Sequence, residues 1–484
     1  MIRPTHVAER VRQYKSPGGP WDQPSLDALL TDATRQAQPR VLVVDGDRRV
    51  DADELNGLVA TAAGHFQERN VTAGDVVTWQ YSNSIDAVVA MRACWRIGAI
   101  AAPIHHSFSD REVQDLHTRL QPKLVLSAGE IGGSNEPLAE PWTLGDSLAA
   151  VLFTSGSSGR PKGVLHTQHT LAYKARTMAA VHGLTADDVV LMPAPLAHIS
   201  GLLNGVTLPC CVAFTTVLMR RWDPEAALEL IETERVSFMV GPPTFFVSLM
   251  RSANFSKDRV RSLRLISSGG AGVSPEFVER ATNTLQAVVK RTYGSTEAPT
   301  VATSTPSDDV ARAHRHDGRA IGEVELRTNA TGELFVRGPE VCVGYLDESQ
   351  TAAAFDDEGW FATGDLATFA DGWLTITGRI ADIIIRGGEN ISATEVEAAL
   401  TAHPSIIEAI VVGYRDELMG ERVCACLVTT SEISVTEIRE WFEGRGVARY
   451  KTPERIVRLS SVPLLGTGKP DRAAIKAFVA QHGA

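Results

Sequence analysis

The chain has 484 residues, of which 44% are hydrophobic and 22% are charged, a composition typical of globular proteins. Its 47 Lys and Arg residues against 58 Asp and Glu residues give a formal net charge of -11. This balance argues against nucleic acid as a partner, because nucleic-acid-binding proteins usually present a basic face. The length exceeds one ordinary hydrophobic core, so we expect roughly two to four structural units.

Several features bear on compartment and membranes. The six cysteines contain no C-x-x-C pair and have no histidine at zinc-finger spacing, so we interpret them as small buried hydrophobic residues in a reducing compartment. The N-terminal residues 1–6 are charged and lack an apolar core, which predicts no signal peptide. Segment 202–219 is uncharged and long enough to span a membrane, but Asn204 and Pro209 interrupt it. We expect a cytoplasmic protein in which this segment is a buried core or a pocket wall.

The first half of the chain alternates between predicted strands and predicted helices. Apolar runs bounded by turn signals predict strands at 41–44, 48–50, 75–79, 124–126, 149–153, 189–192, 238–240 and 265–267. The pair Asp45-Gly46 predicts a hairpin turn between the first two strands. Helical spacing predicts helices at 55–69, at the segment ending near 95, after Ser109, and at 224–234. Asp51 with Glu54 has the spacing of a helix cap, and Ser109 with Glu112 predicts a capping box. This alternation implies βαβ units and a mostly parallel sheet.

The character of the chain changes near Ile321, where strands at 333–336 and 373–376 predict a β-rich subdomain of about 321–378. A final unit has helices predicted at 393–402 and 435–444 and strands at 406–412 and 423–428. We therefore expect an α/β protein, α+β overall. Its large N-terminal domain, 1–381, has layered, mostly parallel βα units, and a small α+β C-terminal domain follows at 382–484.

A glycine-rich loop follows the predicted strand at 149–153. Its glycines permit tight turns, and its hydroxyls and free N–H groups can surround an anion, to which Lys162 adds a positive charge. The loop is not a Walker sequence, because Gly163 and not Ser or Thr follows Lys162. It suits nucleotide phosphates, and a flexible surface loop is the alternative. Its residues up to the lysine are Thr154, Ser155, Gly156, Ser157, Ser158, Gly159, Arg160, Pro161 and Lys162.

Four further segments combine hydroxyls, carboxylates, cations and glycines: 293–297 (YGSTE), 359–365 (GWFATGD), 378–390 (GRIADIIIRGGEN) and 466–472 (GTGKPDR). In this order after the glycine-rich loop, they resemble the adenylate-forming superfamily of acyl-CoA synthetases, peptide-synthetase adenylation domains and luciferases. The resemblance runs from about residue 41 to the C-terminus and includes matching segments at 332–345 and 450–453. It implies a ligase that takes a small carboxylic acid, ATP and coenzyme A, with Mg²⁺.

The resemblance implies that the acid attacks the α-phosphate of ATP, giving an acyl-adenylate and pyrophosphate, before the acyl group passes to the thiol of coenzyme A. The catalytic residues implied are Lys469, Thr296 and Glu297, with Glu297 as the magnesium ligand. The nucleotide-binding residues implied are Thr154, Ser155, Gly156, Ser157, Ser158, Gly159, Lys162, Gly269, Gly270, Ala271, Tyr293, Gly294, Ser295, Asp365 and Arg379.

Individual roles also follow from the resemblance. Lys469 would bridge the carboxylate and the α-phosphate, and Thr296 would hydrogen-bond that phosphate. Asp365 would accept both ribose hydroxyls, a task suited to a carboxylate, and Arg379 would contact ribose and phosphate. Tyr293 would lie against adenine, although a core aromatic position is an equal alternative.

The second half-reaction must admit a thiol to the carbonyl that Lys469 covers in the first. The resemblance implies that the C-terminal domain rotates about a hinge at Asp382, which brings Gly387 and Gly388 to line the thiol tunnel.

The sequence narrows the substrate acid to a chemical class and does not identify it. His198, Gly201, Phe245 and Ser268 are the expected substrate-binding residues, with a structural role as the alternative for His198. No Asp or Glu lies between 191 and 222, so a buried α-ammonium group would lack its counter-charge. We expect an aromatic, alicyclic or medium-chain aliphatic acid. A carrier protein or another nucleophile as the acyl acceptor, a catalytically inactive nucleotide-binding protein, and a homodimer stay open as alternatives.

Overall fold

The computed structural model describes residues 7–36, 40–127, 129, 131, 137–138, 147–154, 160–465 and 468–481. Its strands are β1 (Val41–Asp45), β2 (Arg48–Asp51), β3 (Val76–Trp79), β4 (Ile100–Pro103), β5 (Leu124–Leu126), β6 (Leu148–Thr154), β7 (Lys162–Thr167), β8 (Val189–Met192), β9 (Thr215–Leu218), β10 (Phe238–Gly241), β11 (Leu265–Gly269), β12 (Val288–Tyr293), β13 (Ala302–Thr303), β14 (Arg319–Ala320), β15 (Glu325–Thr328), β16 (Glu333–Arg337), β17 (Phe361–Ala370), β18 (Trp373–Arg379), β19 (Ile383–Arg386), β20 (Glu389–Ser392), β21 (Ile406–Asp416), β22 (Gly420–Thr429) and β23 (Arg455–Arg458).

Helices connect and cover these strands. They are α1 (Ala8–Tyr14), α2 (Leu26–Gln36), α3 (Ala52–Glu68), α4 (Ile85–Arg96), α5 (Asp110–Leu120), α6 (Gln168–His182), α7 (Ile199–Leu202), α8 (Pro209–Val212), α9 (Pro224–Thr233), α10 (Pro243–Met250), α11 (Pro275–Leu285), α12 (Val310–Arg315), α13 (Glu348–Ala354), α14 (Ala393–Thr401), α15 (Val435–Gly444) and α16 (Arg472–Gln481). A π-helical turn spans Leu203–Thr207, and 3₁₀ turns span Ile380–Asp382 and Arg449–Lys451.

Local sequence rules account for many element boundaries. The β1–β2 hairpin turns at Gly46, whose φ of 60° suits glycine. The Asp51 side chain caps α3 by accepting from the Glu54 N–H, and Ser109 with Glu112 forms the expected capping box of α5. These predictions from sequence are confirmed.

Two mostly parallel sheets form the N-terminal part of the chain. A nine-stranded sheet has the order β14-β13-β12-β11-β10-β8-β9-β1-β2, parallel from β12 to β1 and antiparallel at its edges. A five-stranded sheet has the order β5-β3-β4-β6-β7, with only β6–β7 antiparallel. Thr154 pairs with Lys162 in that antiparallel register, so the two ends of the glycine-rich loop lie side by side. The expected mostly parallel α/β arrangement is confirmed.

Two antiparallel-rich sheets follow. The first has the order β15-β16-β17-β18, and its register places Asp365 opposite Arg379. The last has the order β20-β19-β22-β21, with β23 alongside β22, and α14 and α15 pack on it around its own apolar cluster. This sheet begins immediately after the 3₁₀ turn that contains Asp382.

The uncharged segment near residue 210 is part of the interior. The π-helical turn at Leu203–Thr207 is buried throughout, and Leu202, Leu208 and Cys210 belong to the largest apolar cluster. Among the helices of the described ranges, none combines the length and apolar character that a membrane crossing needs. Five of the six cysteines are buried, and Cys211 is half-buried.

Candidate active site

The segment after β12 folds back tightly on itself. A Cβ on Gly294 would lie 2.2 Å from the backbone nitrogen of Thr300, so this close approach requires glycine. The Val301 N–H donates to the Tyr293 carbonyl at 2.9 Å, and Thr300 adopts a φ of 39°, which is unfavourable for a β-branched residue. The Ser295 hydroxyl accepts from the Ala298 N–H at 3.2 Å. The turn thereby presents the side chains of 293–297 beside the carboxyl end of the strand.

Asp365 joins two of the predicted nucleotide-binding residues. The Tyr293 hydroxyl donates to Asp365 Oδ2 at 2.7 Å, and Arg379 Nε lies 3.0 Å from Asp365 Oδ1. Asp365 is only 8% exposed, and burial raises the pKa of its carboxyl while the guanidinium of Arg379 opposes that rise. Burial and the adjacent carboxylate raise the pKa of Tyr293 well above its usual value, so the phenol stays protonated as a donor. These contacts fix the orientation of a carboxylate in the middle of β17.

Glu297 is linked to the glycine-rich loop through Tyr345. The Tyr345 hydroxyl donates to Glu297 Oε1 at 2.8 Å, and Lys162 Nζ lies 5.2 Å from the centre of the Tyr345 ring. The Cys342 N–H donates to the Glu297 carbonyl at 2.7 Å. Sequence reasoning did not single out Tyr345, although it ends the matching segment 332–345. The phenol keeps the carboxylate near the lysine that ends the loop.

A buried histidine hydrogen-bonds to the backbone of Thr296. His166 Nε2 lies 2.7 Å from the Thr296 carbonyl, and since a carbonyl only accepts, this nitrogen must carry the proton. Burial lowers the pKa of His166 to about 4, so the ring is neutral at physiological pH. His166 was not predicted from sequence, where it reads as one more residue of a buried strand.

Lys469 reaches this cluster from the C-terminal part of the chain. A Cβ on Gly270, whose φ is 76°, would lie 2.8 Å from Lys469 Cε and 3.3 Å from Lys469 Nζ. The Lys469 residue is exposed to solvent. Partial desolvation lowers the pKa of Lys469, as does the charge of Arg379, while Glu297 and Asp365 raise it. The ammonium group therefore lies in the common field of the three charged residues identified from sequence.

His198 lies near the same lysine and against a second histidine. The His198 ring meets the edge of the His105 ring with centroids 6.0 Å apart. Burial lowers the pKa of His198 to about 3, assisted by the charge of Lys469, and burial lowers the pKa of His105 to about 4. Both rings are neutral. Among the described residues, the buried hydroxyl of Ser268 at the end of β11 has no hydrogen-bond partner.

Other predicted residues have different surroundings. A Cβ on Gly269 would lie 2.2 Å from the Thr292 carbonyl, and one on Gly201 would lie 2.1 Å from the Pro195 carbonyl, so backbones approach closely at both. Ala271 directly follows Gly270 in the chain and is half-buried. Phe245 packs against Gly468 and stacks on the Trp222 ring at 4.4 Å.

The remaining predicted residues lie in the β19–β20 turn, at the candidate hinge and in the glycine-rich loop. Gly387 and Gly388 lie in the exposed β19–β20 turn, with φ values of 57° and 90°. Asp382 ends the 3₁₀ turn, and its Oδ2 lies 3.7 Å from Arg472 Nε. Ser155, Gly156, Ser157, Ser158 and Gly159 lie outside the described residues.

The donor set of Glu297 fits a magnesium ion that arrives with a nucleotide. In the part of the chain that the structure describes, no group of three or more His, Cys, Asp or Glu side chains could by itself hold a metal ion. Mg²⁺ is commonly bound through one or two carboxylates plus substrate phosphates. Glu297, linked through Tyr345 to the lysine that ends the glycine-rich loop, offers one such carboxylate.

Comparison with known proteins identifies the family of this site. The chain is 32% identical to the medium-chain fatty-acid–CoA ligase of Escherichia coli, over 93% of this chain and 90% of that protein. It is 30% identical to the indoleacetate–CoA ligase of Aromatoleum aromaticum, over 90% of this chain and 94% of that protein. It is also 30% identical to the salicyl-AMP ligase / salicyl-S-ArCP synthetase of Mycobacterium tuberculosis, over 97% of this chain and 93% of that protein.

A solved structure agrees with the expected fold. The o-succinylbenzoate CoA synthetase of Bacillus subtilis, in complex with its acyl-adenylate intermediate, superposes with a TM-score of 0.82 at 27% identity, over 94% of this chain and 98% of that chain. Residues 395–469 match the family model of the AMP-binding enzyme C-terminal domain, and residues 30–346 match that of the AMP-binding enzyme. Because the AMP-binding enzyme model matches more than half of the chain and the similarity to CoA ligases is nearly full-length, the chain belongs to the AMP-binding enzyme family.

Proposed function

We propose that this protein is an AMP-forming ligase that joins a carboxylic acid to coenzyme A. In the first step a carboxylate oxygen bonds to the α-phosphorus of ATP, and the bond to the leaving pyrophosphate breaks. In the second step the thiol sulfur bonds to the acyl carbon, its proton is lost, and AMP leaves. One observation carries the proposal: Lys469 from the C-terminal part lies at Gly270, in the field of Asp365, Arg379 and Glu297.

Negative charge builds up at the α-phosphate during the first step. Its transition state therefore needs positive charge and hydrogen-bond donors that are already in position. The ammonium of Lys469 and the hydroxyl of Thr296 supply them in this proposal. Asp365 accepts the two ribose hydroxyls, and its link to Tyr293 keeps the carboxylate oriented. Lys162, with the loop that begins at Thr154, receives the β- and γ-phosphates.

Glu297 would hold Mg²⁺ together with the phosphates, and the bound ion would neutralise phosphate charge. The Tyr345 hydroxyl orients that carboxylate from the side of the glycine-rich loop. The neutral ring of His166 fixes the backbone of Thr296, so the hydroxyl and carboxylate of this turn keep their relative positions.

The second step requires that Lys469 leave the site. We divide the chain into a core at 1–381 and a mobile domain at 382–484, with Asp382 as the hinge. The β19–β20 turn carries Gly387 and Gly388, and glycines at positive φ allow a narrow passage for the pantetheine arm.

We propose that the acid has an aromatic, alicyclic or medium-chain aliphatic body. The His105 and His198 rings are neutral, and the chain from 191 to 222 carries no carboxylate, so an ammonium group on the substrate would lack a counter-charge. The medium-chain and indoleacetate ligases among the relatives support an apolar acyl group. His198, Gly201, Phe245 and Ser268 are the substrate-side residues of this proposal.

A second candidate is an enzyme that transfers the acyl-adenylate to a carrier protein. The relative named salicyl-AMP ligase / salicyl-S-ArCP synthetase, similar over 97% of this chain, favours this acceptor. The two candidates share the first step and differ only in the thiol that attacks the acyl carbon.

The test is pyrophosphate release with a panel of benzoates, cinnamates, cyclic acids and C4 to C12 chains, followed by thioester formation with free coenzyme A or a phosphopantetheinylated carrier. We expect acid-dependent pyrophosphate release and thioester formation with coenzyme A. Transfer to the carrier alone would establish the second candidate. Absence of pyrophosphate release with every acid would overturn the first step itself.

A further inference from the structure

The residue before Lys469 docks on the start of α10. The Thr244 hydroxyl donates to the Gly468 carbonyl at 2.8 Å. A Cβ on Gly468 would lie 2.3 Å from Cε1 of Phe245, so the backbone at this point rests directly on the aromatic ring. Gly468 also has a φ of 79°. Glycine is therefore required here for both its conformation and its close approach.

The surface that receives Gly468 is rigidly built. Phe245 stacks on Trp222 with centroids 4.4 Å apart and an interplanar angle of 13°. The Trp222 indole N–H donates to the Ser248 hydroxyl at 2.9 Å, and that hydroxyl in turn donates to the Phe245 carbonyl at 2.9 Å. We call Trp222, Thr244, Phe245 and Ser248 the docking platform. Its parts belong to α10 and to the segment before α9, and so to the N-terminal part of the chain.

Docking of Gly468 fixes where Lys469 points. The Gly468 N–H donates to the Leu465 carbonyl at 2.8 Å, and the Leu465 N–H donates to the Lys469 carbonyl at 2.8 Å. These two bonds tie both Gly468 and Lys469 to Leu465, and we call Gly468 and Lys469 together the Lys469 turn. The Lys469 side chain then lies along Gly270.

We propose that the docking platform is the receptor for the Lys469 turn, and that Thr244 is a positioning residue for the adenylate-forming half-reaction alone. The inference rests on the proposed function, in which Lys469 acts in the first step and leaves for the second. The platform contacts exist only while the turn is docked. Weakening them should therefore slow the first step and leave the second unchanged.

The experiment compares Thr244→Val, which removes the hydroxyl at nearly constant volume, with Thr244→Ser, which retains it. Loss of one hydrogen bond should reduce the rate of acid-dependent pyrophosphate release about three- to tenfold in the valine variant. Thioester formation from supplied acyl-adenylate should stay at the wild-type rate. The serine variant should retain most of the wild-type first-step rate. Thr233→Val is the matched control, because its hydroxyl makes an exposed bond to the Glu229 carbonyl within α9.

The outcomes separate this inference from the proposed function. Wild-type protein that releases no pyrophosphate with any acid contradicts the proposed function. If the wild-type protein is active and the valine substitution slows both steps equally, or slows neither, the docking role is contradicted. Thermal unfolding of the valine and serine variants at the same temperature excludes general destabilisation as the cause of a selective loss.

Discussion

Lys469 lies among one positive and two negative groups, and its charge depends on their balance. Partial desolvation and Arg379 lower its pKa from the usual 10.5, while Glu297 and Asp365 work in the opposite direction. The proposed role requires the ammonium form, which stabilises charge on the α-phosphate. The first-step activity should therefore be lost at a lower pH than it would be if Lys469 had the usual pKa of a lysine.

We predict that the alkaline limb of the pH profile moves when Arg379 is changed. The folded protein loses the Lys469 proton as pH rises through the lowered pKa. The kcat/KM of pyrophosphate release should therefore begin to decline before the pH reaches 10.5, the usual pKa of a lysine. Arg379→Gln removes one cause of the lowering and should shift the limb to higher pH, even though loss of a ribose contact reduces the rate. A limb that stays in place or moves to lower pH would contradict this account.

We also predict unequal effects of removing the lysine itself. Lys469→Ala should reduce the rate of adenylate formation by roughly 10²–10³-fold, the usual effect of losing one preorganised donor at a developing charge. Thioester formation from supplied acyl-adenylate should change little, because the proposed second step does not use this side chain. The two rates are measured separately by pyrophosphate release and by thioester yield. Equal losses in both would argue against the division of labour.

At the scale of elements, the turn after β12 depends on a buried ion pair beneath it. Lys174 of α6 is completely buried, donates to the Thr300 carbonyl at 2.8 Å, and lies 2.9 Å from Glu340 Oε1. Thr300 is the residue that approaches Gly294 and adopts a positive φ. The ammonium therefore holds a strained residue at the back of the candidate site.

We predict that Lys174→Met lowers the free energy of unfolding by about 3–5 kcal/mol, because it leaves the buried carboxylate of Glu340 without its partner. Combining it with Glu340→Met should recover most of that loss, since replacement of both members of a buried pair by apolar residues is often tolerated. Urea unfolding of the two variants measures the difference. A double variant as unstable as the single one would show that the bond to the Thr300 carbonyl dominates.

The elements also show what sequence can and cannot predict. The caps at Asp51 and Ser109 follow rules that act within four residues, and the structure forms them as predicted. Tyr345 and His166 contact the 293–297 turn from 48 and 130 residues away. Neither residue has a local pattern that distinguishes a site partner from a core aromatic or a strand residue. Lys162 was predicted from the chemistry of its glycine-rich loop, whereas the roles of Lys469, Asp365 and Arg379 were predicted only because several segments matched one family in order.

At the scale of the whole molecule, the last domain rests on the core through charges as well as through the Lys469 turn. Glu408 of β21 faces α10 and α11: burial raises its pKa, and the guanidiniums of Arg251 and Arg280 oppose that rise. Ile407 packs against the apolar cluster of the same helices, and Arg445 lies 4.0 Å from Glu276. These contacts hold the domain in the position that brings Lys469 to Gly270, which is the arrangement proposed for adenylate formation.

We predict that Asp382→Pro retains this arrangement and blocks the other. Proline fixes φ near about −65° and restricts the residue before it, so rotation at the 3₁₀ turn should be prevented. Pyrophosphate release in a single turnover should persist, whereas thioester formation should fall more than about tenfold, since the thiol cannot reach a carbonyl that Lys469 covers. Asp382→Ala is the control, because it removes the contact with Arg472 but leaves the backbone free to rotate. Undiminished thioester formation by the proline variant would exclude Asp382 as the hinge.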